Sequence, residues 1–195
     1  MNERPIIFNG EMVRAILDGR KTQTRRVVKP QPECDIPGAY FDAYNGGPQW
    51  NWWTEDNRLC NAHTIVECPY GQPGDRLWVR ETFCRNYRSG RLIYRATEKM
   101  YNLPINSKWT PSIYMPRWAS RITLEIKDVR VEKVRKISEK DAKEEGVVPS
   151  IVGDDLDHLK YRAAFQTLWN SINEKRGYGW DVNSWVWVIE FERMK

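Results

Sequence analysis

The sequence predicts an α+β domain built on a small mixed or antiparallel β-sheet or barrel, with flanking helices and one inserted, loop-rich lobe. Apolar and polar residues alternate from 122 to 134, as expected of a half-buried strand. Nearly every residue from 185 to 191 is apolar, which is typical of a strand buried on both faces. Between them, apolar residues recur at helical spacing from 156 to 175, so we expect a helix that packs on the sheet.

The N-terminal elements follow from local signals. Residues 5–8 form a short β-type run, and Asn9 is suited to cap the helix after it, which Gly19 ends. Residues 22–28 are rich in β-branched and long polar side chains, which favours a strand. Two prolines within residues 29–32 then predict an extended linker.

The linker leads into a lobe at about residues 31–73. Proline, glycine, asparagine and aspartate dominate it, its charge is acidic, and three tryptophans cluster at its centre. We interpret it as a loop-rich insertion into one domain that spans residues 1–195.

The remaining elements return to regular patterns. Residues 76–83 alternate as a strand, and residues 91–96 are suited to pair beside it. Prolines keep residues 97–119 irregular. A short helix is then predicted between Ser138, as its N-cap, and Gly146, where it ends.

Charge is distributed unevenly along the chain. Residues 1–30 carry seven Lys or Arg against three Asp or Glu, and residues 76–136 carry fifteen against five, whereas the lobe between them is acidic. Such a chain can fold with one positive face, so a nucleoside or single-stranded RNA is a candidate partner. Basic side chains scattered over a solvated surface are the alternative.

Other classes of protein are disfavoured. No apolar run approaches the ~18 residues of a bilayer span, and the N-terminus has no hydrophobic signal segment, so we expect a cytoplasmic protein without a membrane partner. The four cysteines are therefore not expected to form disulfides. One zinc-type set can be drawn, although without a C-x-x-C pair the cysteines also fit buried apolar positions. Its members are Cys34, Cys60, His63 and Cys68.

The most informative segment is Gly19–Arg26, which brings lysine, two threonines and three arginines to a helix-to-strand junction. Its Gly19, Lys21 and Arg26 resemble the signature of the ASCH-domain family. Residues 73–81 and 137–146 resemble two further blocks of that family, and Phe191 falls in a strand similar to its closing strand.

The resemblance implies a β-barrel of the PUA-like superfamily and extends to proteins of bacteriophages and prophages. Some small ASCH-type enzymes are amidohydrolases that remove the acetyl group from acetylcytidine. By similarity to these, Lys21, Thr24 and Glu145 are the candidate catalytic residues, and no cofactor is implied.

These residue types suit that chemistry. A threonine hydroxyl becomes a nucleophile when a neighbour takes its proton, and a lysine can do so when burial or nearby cations lower its pKa. Arg25 and Arg26 can supply the cations. Glu145 can position the lysine or protonate the departing amine.

The candidate substrate-binding residues are Arg25, Arg26, Arg80, Glu81 and Trp53. Glu81 is the competing carboxylate, because it lies on the inward-facing period of its strand and requires a partner, which Lys21 or Arg80 can provide. Trp53 can cover a ligand from the lobe.

Two other functions use the same residues. One is a non-catalytic module that binds RNA in a basic cleft, and the other is a ribonuclease that stabilises a phosphorane with the lysine and arginines. A solvated helix end with no function in chemistry also fits the Gly19–Arg26 segment. The sequence leaves the oligomeric state open.

Overall fold

A computed structural model describes residues 1–31, 40–43, 49–53, 66–86, 89–98, 108–149 and 160–194 of the chain. The described strands are β1 (Glu3–Ile7), β2 (Gln23–Val27), β3 (Tyr40–Ala43), β4 (Gln49–Trp53), β5 (Val66–Glu67), β6 (Arg76–Arg80), β7 (Phe83–Arg85), β8 (Leu92–Tyr94), β9 (Thr123–Lys133) and β10 (Trp185–Arg193). The α-helices of the described residues are α1 (Gly10–Leu17), α2 (Glu139–Glu144) and α3 (Lys160–Asn173).

The main sheet has five strands in the order β1-β6-β9-β10-β2. β1 runs parallel to β6, and the other neighbours are antiparallel, so the sheet is mixed. In the described residues β1 and β2 are its two edges, and no closed barrel is found. The α+β class is therefore confirmed at the level of a mixed sheet with helices.

The core lies on both faces of the central strands. Leu124 and Ile126 of β9 and Trp187 of β10 are buried on one face with Phe8 from the segment after β1. On the other face, Val186 and Val188 of β10, with their neighbours, pack against Phe165 and Trp169 of α3. The predicted double-sided burial of β10 is thereby confirmed.

The helix ends follow the predicted capping chemistry. The Asn9 side chain accepts a hydrogen bond from the Met12 backbone N–H at 2.8 Å. Ser138 and Asp141 form a capping box at the start of α2. Gly146, with φ of +79°, then turns the chain out of α2.

The structure adds strands to the lobe and corrects one predicted strand. In the described part of the lobe, β3, β4 and β5 form a three-stranded antiparallel sheet that the sequence did not predict. The strand predicted over residues 76–83 ends at Arg80, as β6, and the chain resumes as the short strand β7. Residues 91–96 were expected to pair with the predicted strand, but their strand β8 pairs with β7 and not with β6.

Candidate functional site

Lys21 lies where the chain passes from α1 into β2, and it contacts the end of α2. Gly19, with φ of +73°, reverses the chain after α1. Lys21 then pairs with Glu145 in an isolated antiparallel bridge. The neighbouring Thr22 N–H donates to the Glu144 carbonyl at 2.9 Å, so two backbone segments 124 residues apart are held side by side.

The Lys21 ammonium is fully buried and bonded to oxygens. Its side chain is 0% exposed, and its Nζ donates to Glu145 Oε2 at 2.7 Å. It also donates to the carbonyl oxygens of Gln23 and Glu145, each at 2.9 Å. Three donors thus meet three acceptors, and the Nζ stands 5.5 Å from the centre of the Phe8 ring.

Arg25 occupies the other oxygen of the same carboxylate. Its Nη1 donates to Glu145 Oε1 at 3.2 Å, and its side chain is 0% exposed. Glu132 Oε1 lies 2.6 Å from Arg25 Nη2, and Asp141 Oδ2 lies 3.6 Å from it. The Glu145 carboxylate is therefore held between two cations, and one of them is anchored by further carboxylates.

Arg130 adds a third cation to the network. From strand β9 it contacts Asp141, Glu132 and Glu190. Lys21, Arg25 and Arg130 therefore each have at least one carboxylate partner. Such pairing is what allows charged groups to remain in a desolvated environment.

Burial lowers the pKa of Lys21 below its ordinary value, and the Glu145 carboxylate opposes this shift. The nearby Arg26 and Arg25 guanidinium groups lower the Lys21 pKa further. The net direction is toward an amine that releases its proton more readily than a solvated lysine.

Glu145 also forms part of the wall of a cavity of about 310 Å³. This size is at the lower end of the range for small-molecule sites, which is about 300 to 1,000 Å³. Thr24, Arg25 and Arg26 of β2 contribute one side, and α3 with the segment after it contributes the other. The described wall includes Glu145 but not Lys21, which lies behind that carboxylate.

Arg26 brings a cation and an unused donor to this cavity. Its guanidinium carbon lies 5.2 Å from the centre of the Phe8 ring, and its Nη2 donates to the Ile7 carbonyl at 2.6 Å. Its buried Nε has no hydrogen-bond partner among the described residues. A buried donor of this kind favours a ligand that accepts a hydrogen bond.

The structure thus brings together most of the predicted catalytic group. Thr24 is 2% exposed and lines the cavity with Arg25, Arg26 and Glu145. Lys21 joins through its bond to Glu145. The roles assigned to these side chains remain predictions.

Glu81 and Arg80 belong elsewhere, contrary to expectation. Glu81 is buried as predicted, but its partner is Arg121, which donates to both carboxylate oxygens at 2.8 and 3.0 Å. The expected pairing with Lys21 or Arg80 is therefore wrong. The guanidinium carbon of Arg80 instead lies 4.7 Å from the centre of the Trp78 ring. Neither side chain lines the described wall of the cavity.

Trp53 and Cys68, the lobe residues predicted for function that the structure describes, do not line the cavity, whereas Pro69 and Tyr70 of the lobe do. Trp53 ends β4, is half-buried and does not appear in the described cavity wall. Of the zinc-type set, Cys34, Cys60 and His63 lie outside the described residues. Cys68 is buried, and burial raises the pKa of its thiol to about 11. Within the described part of the chain, no group of three or more potential metal ligands is found.

Several cavity residues carried no signal in the sequence. They are polar or aromatic side chains from three separate segments, and a motif search around Gly19 does not reach them. They are Lys29, Tyr70, Asn173, Arg176 and Tyr178. For Asn173, Arg176 and Tyr178, the nearest signal in the sequence was the end of the helix predicted over residues 156–175, which lies beside them in the chain.

Within the residues that the structure describes, no helix combines the length and the apolar character needed to cross a lipid bilayer.

Comparisons of this chain with protein-family models, with curated proteins and with solved structures give no match.

Proposed function

We propose that the protein hydrolyses an amide on a modified nucleobase or nucleoside of the N4-acetylcytidine type. In this proposal Thr24 is the nucleophile, Lys21 is the base and Glu145 is the supporting acid. The resemblance to ASCH proteins, with their PUA-like barrel, belongs to the same proposal. The observation that carries it is the buried Lys21–Glu145 pair, whose carboxylate lines the cavity beside Thr24.

The reaction consumes one water and releases acetate. The Thr24 hydroxyl oxygen attacks the acetyl carbon, its proton passes to Lys21, and the bond from the acetyl carbon to the exocyclic nitrogen breaks. The departing amine takes a proton from Glu145 or Lys21. Water then cleaves the Thr24 ester, which frees acetate and restores the hydroxyl.

Lys21 must lose one proton before it accepts another, and Glu145 Oε2, 2.7 Å from its Nζ, takes that proton and so becomes the acid for the departing amine. An ammonium that donates three hydrogen bonds has no free lone pair, and Lys21 donates three. Burial lowers its pKa, which favours the neutral amine. Arg25 remains beside Glu145 and stabilises the carboxylate that re-forms when the amine takes the proton.

The experiment is to incubate the pure protein with acetylcytidine, both as the free nucleoside and within a single-stranded RNA, and to measure acetate. Thr24→Val should abolish its release, because the variant keeps the shape of the side chain and removes the hydroxyl. Thr22→Val is the matched control, since Thr22 is exposed in the same segment and does not line the cavity. No acetate from the wild-type protein with either substrate, or full activity in Thr24→Val, would contradict the proposal.

A second candidate is an RNA-binding module without this chemistry, or a ribonuclease. Arg26, Lys29 and Arg176 favour it, because they give the cavity wall three cations suited to phosphate. A labelled single-stranded RNA in the same incubation separates these functions. Strand cleavage indicates a ribonuclease, and salt-sensitive retention without cleavage or acetate indicates a binding module.

A further inference from the structure

Two more hollows adjoin the candidate site and run past α1. The first, of about 560 Å³, shares Met12, Glu145 and Leu168 with the candidate cavity. The second, of about 530 Å³, shares Asn9, Glu11 and Arg14 with the first. The shared residues place the three spaces next to one another along α1. We call the two outer hollows together the α1 groove.

The α1 groove extends the candidate site well beyond the size of one nucleoside. Each of its hollows is larger than the cavity of about 310 Å³ at its inner end. Its far end reaches Arg95 and Ser112, in the region of the chain with the strongest excess of basic residues. A ligand that fills the cavity alone leaves this groove to solvent.

Exposed arginines line the groove at intervals. Arg14, Arg20 and Arg95 are all exposed and come from α1, the turn after it and the segment after β8. Arg14 and Arg20 are held by backbone carbonyls, those of Ala96 at 3.0 Å and Gly146 at 3.1 Å. The Arg14 contact uses one terminal nitrogen and leaves its other donors available, whereas Arg20 also donates to Asp18 Oδ2 at 3.0 Å through its second terminal nitrogen.

The acidic residues of the groove offset this charge only in part. Glu81 is bonded to Arg121, and Glu145 is bonded to Lys21 and Arg25. Glu11 is the exposed carboxylate of the described groove wall. The groove therefore presents spaced positive charge, as the backbone of a nucleic acid requires.

We propose that the α1 groove binds the nucleotides next to the modified one, so that the substrate is a single strand of RNA and not a free nucleoside. The choice of RNA rests on the proposed function, whose substrate is a ribonucleoside. The strand is unpaired because the candidate cavity admits a base only when it is free of its partner. The arginines contact phosphates along the strand while the modified base enters the cavity beside Thr24.

The test is the binding of a labelled oligoribonucleotide of about 12 nucleotides, a length within the usual range of single-strand sites. Fluorescence anisotropy is recorded over a salt series, with no acetylated base present. The triple variant Arg14→Gln, Arg20→Gln, Arg95→Gln should bind about tenfold or more weakly. Its log–log salt slope should fall by about 2, since each phosphate contact on a single strand contributes about 0.7.

A charge-matched control removes three cations outside the groove. Arg91, Lys127 and Lys140 have side chains 77%, 45% and 85% exposed, and the described walls of the groove include none of them. Their replacement by glutamine should leave most of the affinity. Equal losses in the two triple variants, no binding by the wild-type protein, or tighter binding of duplex RNA would overturn the inference. Tighter binding of DNA of the same sequence would overturn the choice of RNA.

Binding and hydrolysis are measured separately, so the two proposals fail in different ways. Acetate release from acetylcytidine without groove-dependent RNA binding contradicts the inference and leaves the proposed function standing. Groove-dependent RNA binding without acetate release from either substrate contradicts the proposed function.

Discussion

Replacing Glu145 by glutamine is expected to destabilise the fold in a way that depends on pH. Glutamine keeps the shape of the side chain but removes the charge that balances the Lys21 ammonium. Both side chains are almost fully buried, at 0% and 2% exposure, so the cost is that of breaking a buried pair and not a surface one. Removal of one partner from a buried pair costs about 3–5 kcal/mol, against about 0–1 kcal/mol for an exposed pair.

We expect a loss near the lower end of that range, about 3 kcal/mol at neutral pH. Arg25 keeps its contacts with Glu132 and Asp141 in the variant, so it is not left without a countercharge. The main loss therefore falls on Lys21.

The sign of the pH dependence follows from the Lys21 pKa. Burial lowers this pKa in the folded protein. Between the folded-state pKa and the ordinary lysine value, the unfolded chain binds more protons than the folded chain, so the free energy of unfolding rises with pH. Without Glu145 the folded-state pKa falls further and the rise begins at lower pH. The deficit of Glu145→Gln should therefore shrink between pH 7 and about pH 9.5.

Urea denaturation followed by tryptophan fluorescence measures this deficit at the two pH values. Glu144→Gln is the matched control, because its carboxylate is 35% exposed and lies 3.9 Å from Lys140. It should cost less than about 1 kcal/mol at either pH. A loss of under about 1 kcal/mol in Glu145→Gln, or one that is the same at both pH values, would refute the reasoning.

Three further predictions concern the backbone and acid stability. Gly146→Ala should lower the free energy of unfolding by about 2–4 kcal/mol, because φ is +79° and the new Cβ would stand 2.7 Å from a side-chain carbon of α1. Gly177→Ala, at φ of +81° with open space around it, should cost only about 1 kcal/mol in the same denaturation assay. Ser138→Ala should cost about 1 kcal/mol, because the α2 N-cap is lost, and circular dichroism melting measures it. The backbone N–H of Asn2 donates to Asp75 and lowers the pKa of its carboxyl group. The wild-type protein should therefore be more stable than Asp75→Asn above the ordinary aspartate pKa. An acid titration of the free energy of unfolding should show this advantage vanish as pH falls through the folded-state pKa.

The elements with strong local signals were predictable from the sequence. Capping residues and long periodic runs gave α1, α2, β9 and β10, because these patterns depend on a few neighbouring residues. The strands in the lobe were missed because glycine, proline and polar residues surround them and their pairing is decided by contacts with one another.

The partner of Glu81 could not be predicted from the sequence. The alternation of its strand predicted burial and the need for a countercharge, both of which hold. The partner is set by the register of β6 with β9, which pairs Trp78 with Thr123 and so brings Arg121 opposite the end of β6. Arg121 follows a proline-rich irregular segment, and a long-range register of this kind leaves no local mark in the sequence.

The contact between Lys21 and Glu145 joins residues 124 positions apart, and its physical cost bears on its role. Two charges removed from water contribute little net stability compared with a well-packed apolar pair of similar volume. The stability of the fold alone therefore gives no reason to place an ammonium and a carboxylate at this position. A cavity wall does give one, because a carboxylate held by Lys21 and Arg25 is oriented and charged before any ligand arrives. The cost in stability and the orientation of Glu145 are two consequences of the same burial, and for that reason the Glu145→Gln measurement bears on the site as well as on the fold.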